Sequence, residues 1–63
     1  MPRNLTALRR ALRDAAAIKA HLHVAQSAKD WPPGDIIGRT AGGWLVYDDG
    51  ETRRVLFADW LKT

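Results

Sequence analysis

The chain has no cysteine. Disulfides, a common staple of small folds, are therefore excluded, and thiolate metal sites with them. The same absence fits a reducing compartment. No stretch approaches the ~18 consecutive apolar residues of a membrane span. Arg9, Arg10 and Arg13 interrupt the only region where a signal peptide's apolar centre would fall. These absences lead to the expectation of a soluble, cytoplasmic protein. There is no internal repeat and no low-complexity tail.

Chemistry-bearing residues are equally scarce. Serine occurs once, at Ser27, and histidine only at His21 and His23. Ser27 follows His23 by one helical turn, but a fold this small offers no pocket for a nucleophile, base and orienting group in contact. Asp48, Asp49 and Glu51 form a carboxylate cluster at a turn tip, where turn formation and solubility account for them. Gly42-Gly43 lacks the lysine and following helix of a phosphate loop. In a helix, His21 and His23 point apart and cannot share a metal; in a strand they would share a face, but the context is helical. The expectation is a protein that is not an enzyme and holds no metal or cofactor.

With 63 residues the chain forms one domain, 1–63, and buries only about 60% of its unfolded surface. Without disulfides or metal, self-association into a homo-oligomer is the remaining aid. Charge is unevenly distributed. Residues 1–30 carry six cations (Arg3, Arg9, Arg10, Arg13, Lys19, Lys29) against Asp14 and Asp30. Residues 31–63 carry four cations against five carboxylates. A basic first half implies an acidic partner, or simply a solvated helical face.

The chain changes character near Trp31-Pro32-Pro33-Gly34. Before it, Ala, Leu, Arg and Lys predict one long helix over 4–29, capped by Asn4 or Thr6. At 100° per residue, Leu5, Leu8, Ala11, Leu12, Ala15, Ile18, Leu22 and Ala25 share one broad face. Such a helix would be roughly 37 Å long, so it would either overhang a small sheet or bend near Lys19-Ala20. Ala11, Ala15 and Ala16 would admit a neighbouring backbone closely. Pro32 and Gly34 end the helix, residues 30–35 form a linker, and Trp31 is expected to fold back as a core anchor.

The remainder, 36–61, reads as a β region. Asp35 to Arg39 predicts a first strand, Thr40–Gly43 a loop, Trp44 to Tyr47 a second strand, and Thr52 to Phe57 a third. Ala58 to Leu61 reads as a helical turn or strand tail. A two-residue Asp49-Gly50 turn would pair Tyr47 with Thr52, and a bulged three-residue turn would pair it with Glu51. Either way Trp44 and Val46 share one face, and Leu45 and Tyr47 the other. That second face needs another layer, a subunit or a partner. The predicted fold class is α+β: one long N-terminal helix on a three-stranded antiparallel sheet, oligomeric.

The stretch 33–51, with Pro33-Gly34-Asp35, and Val46, Asp49 and Gly50 in a short hairpin, resembles the opening strands of SH3-like small barrels of Tudor or KOW type. The resemblance implies a noncatalytic module that binds peptide or nucleic acid. A full barrel needs about five strands, so closure would require another chain.

Two functions from different classes lead, with a structural subunit of a larger particle as a third reading. The first is a small regulatory or adaptor protein that binds another protein, similar to the small proteins that phages and mobile elements encode to modify host machinery. The second is a nucleic-acid binder using Arg9, Arg10 and Arg13, with Arg53 and Arg54 adding charge from the sheet. The acidic hairpin opposes the second, and no helix-turn-helix, zinc-finger or RNA-recognition signature is present. Binding candidates are Arg9, Arg10, Arg13, Arg53, Arg54, Tyr47 and Trp60. Trp44 and Trp60 also read as core, since so short a chain needs large side chains to close its interior.

Overall fold

A computed structural model describes residues 5–58. Helix α1 (Leu5–Ala17) is followed by strands β1 (His21–Val24), β2 (Asp35–Arg39), β3 (Leu45–Asp48) and β4 (Arg53–Phe57). The class is α+β, but the sheet has four strands in the order β1-β4-β3-β2. β1 pairs parallel to β4, whereas β2–β3 and β3–β4 are antiparallel. The expectation of three antiparallel strands is corrected accordingly.

The fourth strand comes from sequence assigned to the long helix. α1 stops at Ala17 in a left-handed turn at Lys19, whose φ is 56°. The Ala20 N–H donates to Ala15 O at 2.8 Å and the Lys19 N–H to Ala16 O at 3.1 Å. These are the paired closing bonds of a Schellman turn, formed here without glycine. Ala20 then packs against the core that contains Ala15, as that motif favours. The chain leaves in His21-Leu22-His23-Val24, whose alternation puts Leu22 and Val24 into the core. Leu22 satisfies both a 3.6-residue stripe with Ile18 and a two-residue alternation with Val24. Pairing with Val55 and Phe57 in β4 decides for the strand.

A helix of 13 residues is ~20 Å long, which matches the sheet beneath it and removes the expected overhang. It docks on alanine. Ala11 and Ala15 are buried against Trp44, Val46, Val55 and Phe57, with Ala7 and Leu8 alongside. These small side chains bring the helix close, and the Trp44 and Phe57 rings fill the remaining space with centroids 4.9 Å apart. Complete burial of Val55 and Phe57 contributes about 1.5–3 kcal/mol each. Leu5 and Leu12, expected in the core, are more than half exposed, and Ile18 is exposed as well. The alanine stripe makes the contact, so the leucine stripe is turned aside.

Trp44 and Val46 share the helix side and Tyr47 and Leu45 the other, as the alternation requires. The face away from α1 is not left bare. Ala25, Tyr47, Leu56 and Ala58 form a second buried cluster there, with Leu45 against it. Residues 25–34 carry the chain from one edge of the sheet to the other, and Pro32 is buried in that connection. Trp31, expected as the anchor, is 39% exposed.

The β3–β4 hairpin pairs Asp48 with Arg53 and Tyr47 with Arg54, so neither anticipated register occurs. A four-residue loop replaces the tighter turns because two aspartates organise it. The Gly50 N–H donates to Asp48 Oδ1 at 2.8 Å. Asp49 Oδ1 accepts from the Glu51 N–H at 2.9 Å and the Thr52 N–H at 2.7 Å. Asn4 lies outside the described residues, and so does all but Ala58 of the helical turn or strand tail expected at 58–61.

Candidate interaction surface

The outward side of α1 is built from the residues that the alanine stripe excludes. At ~100° per residue, Leu5 and Leu12 nearly coincide, and Arg9 and Arg13 follow over the next ~80°. Arg10 lies further round. All five side chains are exposed. None of the three arginines has an ion pair among the described residues.

The single carboxylate of α1 faces elsewhere. Asp14 Oδ2 accepts from the Thr40 hydroxyl at 2.8 Å and from the Gly42 N–H at 2.9 Å. The β2–β3 loop is closed around this contact. The Thr40 N–H donates to Trp44 O at 2.8 Å, and the Trp44 N–H donates to Thr40 Oγ1 at 3.1 Å. Asp14 is therefore committed to the loop instead of to Arg10, one turn before it. The outward face keeps its positive charge undiluted.

The sheet arginines do not extend that face. Arg54 Nη1 is 2.9 Å from Asp49 Oδ2, and Arg53 Nε is 3.5 Å from Asp48 Oδ2. Each is committed to a hairpin carboxylate. The Thr52 and Glu51 N–H groups, then Arg54, hold the Asp49 carboxyl well below the usual carboxylate range. Tyr47, a binding candidate from sequence, is 9% exposed and belongs to the second cluster. Trp60 lies outside the described residues. Of the seven candidates, the structure groups only Arg9, Arg10 and Arg13 on one open face.

Because residues 21–24 form a strand, His21 and His23 share a face, which removes the geometric reason given for their separation. His23 Nε2 instead donates to the Asp30 carbonyl at 3.1 Å and lies 3.4 Å from Asp30 Oδ1. No group of three or more potential metal ligands occurs among the described residues. Ser27 Oγ accepts the Lys29 N–H at 3.4 Å within its own turn. No helix among the described residues is long and apolar enough to cross a membrane.

Two features escaped the sequence reading. The first is Leu5 and Leu12 as surface residues, since their helical spacing suits a core stripe equally well. The second is the exposure of β2, a strand expected at 35–39, every residue of which is open to solvent at the sheet edge. Its Ile36-Ile37 pair interrupts alternation, and that was the available signal. In comparisons with known proteins, the chain matches no family, no curated protein and no solved structure.

Proposed function

We propose that this chain is a non-catalytic regulatory or adaptor protein that docks another protein on the outward face of α1. The observation that carries the reading is the company Leu5 and Leu12 keep: two leucines more than half exposed beside Arg9 and Arg13 on one short helix. Phosphate recognition has no use for exposed leucine. An acidic protein surface with an apolar centre uses both, the leucines supplying burial and the arginines orientation and approach. The resemblance of residues 33–51 to SH3-like barrel strands points to the same class of noncatalytic module.

Nucleic-acid binding is the second reading, favoured by three arginines without ion-pair partners among the described residues. The two readings separate in affinity capture from extracts of the source organism, with and without nuclease. For the protein reading, capture survives nuclease and the Arg9→Ala/Arg10→Ala/Arg13→Ala variant retains part of it. It is lost in Leu5→Ser/Leu12→Ser. Capture lost on nuclease treatment but retained by the leucine variant overturns the reading in favour of nucleic acid. In that case binding to a random duplex falls steeply with salt, with a slope near the number of phosphates contacted.

A further inference from the structure

β2 is an edge strand with one free side. Ile36 and Ile37 on it are 55% and 54% exposed. Native edges are usually blunted by charge, proline or a bulge, because an open ladder invites pairing. This edge has a bulge, with the register slipping between Ile36 and Gly38 so that Ile37 has no partner in β3. Its end charges differ in sign: Asp35 begins the strand and Arg39 ends it. Blunting by charge needs no such polarity.

We infer that β2 pairs antiparallel with β2 of a second copy of this chain, forming a two-fold dimer with one continuous eight-stranded sheet. Antiparallel pairing sets the Asp35 end of each strand beside the Arg39 end of the other, twice by symmetry. Parallel pairing sets like charges together. Between these ends Ile37 meets Ile37 of the second copy, Ile36 lies opposite Gly38, and both isoleucines lose exposed area.

The local electrostatics of β2 support the same occupant. Within the sheet Asp35 stands opposite Asp48, a like-charge pair. The Asp48 carboxylate is taken by Arg53, whereas Asp35 has no ion pair among the described residues. A cation arriving from the open side offsets that repulsion. Arg39 is held at the other end of β2 by Nη1 donating to Gly43 O at 3.1 Å. The other edge strand, β1, turns Leu22 and Val24 into the core and presents no comparable apolar pair. This inference does not rest on the helix-face reading.

The test is sedimentation velocity of the full chain over a dilution series reaching ~1 mM. The wild type shows concentration-dependent mass at twice the monomer. Ile37→Lys, a change at an exposed position, is monomeric with an unchanged circular dichroism spectrum. Asp35→Arg places cations at both ends and weakens association about tenfold. Asp35→Arg with Arg39→Asp restores it. This charge pair decides the matter even where Ile37→Lys fails to fold. Leu5→Ser/Leu12→Ser leaves the dimer intact. A wild type that stays monomeric, a dimer indifferent to Ile37→Lys and Asp35→Arg, a double charge reversal that fails to restore association, or a dimer lost with the leucines overturns the inference.

Discussion

Asp14 in the last turn of α1 accepts the backbone N–H of Gly42 at 2.9 Å and, through the same oxygen, the Thr40 hydroxyl at 2.8 Å. One carboxylate thereby fastens the helix to the β2–β3 loop. Asp14→Ala leaves the Gly42 N–H and the Thr40 hydroxyl without this acceptor and is expected to cost about 1–3 kcal/mol. Urea unfolding measures the loss, and hydrogen exchange localises it to residues 40–44. An unchanged midpoint with unchanged exchange at Gly42 contradicts the assignment.

Gly34 and Gly50 both adopt positive φ, 104° and 94°. A Cβ at Gly34 would collide with the backbone of Asp48 and Asp49, whereas at Gly50 it would meet open space. Gly34→Ala is expected to destabilise by at least ~2 kcal/mol, strain and collision together. Gly50→Ala bears the conformational strain alone, about 1 kcal/mol. Paired thermal melts test the ranking, and equal losses contradict it.

Lys19 occupies the left-handed position that glycine usually takes at a helix end. Lys19→Gly relieves that strain and is expected to stabilise the fold by ~0.5–1 kcal/mol. A fall in melting temperature would show that the lysine side chain contributes more than its backbone conformation costs.

Asp49 gives the hairpin a pH dependence of predictable sign. Its folded-state pKa is depressed, chiefly by the Thr52 and Glu51 N–H groups and then by Arg54. Its stabilising contribution is therefore present above the unfolded value of about 3.9 and is lost as pH falls through the lower folded value. Asp49→Asn is expected to lower stability at neutral pH and to flatten the acid limb of the stability curve below about pH 4. Chemical denaturation from pH 2 to 7 reads both, and an acid limb identical to wild type contradicts the role.

The β half of the fold was legible because its signals are local. Paired glycines, an aspartate-rich turn and β-branched runs put β2, β3 and β4 within a residue or two of their observed places. The stretch 18–25 was not, because Leu22 fits helical and strand periodicities equally and only β4, thirty residues on, decides between them. The same contact explains Leu5 and Leu12: a helix docked on alanine cannot also bury that stripe. The arginine face of α1 was readable as a helical flank. The withdrawal of Arg53 and Arg54 from it depended on a hairpin register that two turn aspartates impose.

The position of β4 governs when the protein can fold at all. Among the described residues, the last strand in sequence order sits between β1 and β3 and contributes Val55 and Phe57, the two largest completely buried side chains. Until residue 57 is in place, β1 has no strand to pair with, β3 lacks one neighbour, and α1 has only the Trp44 and Val46 part of its docking surface. Early segments thus wait for late ones, long-range closure limits the rate, and acquisition of structure is all-or-none instead of progressive along the nascent polypeptide.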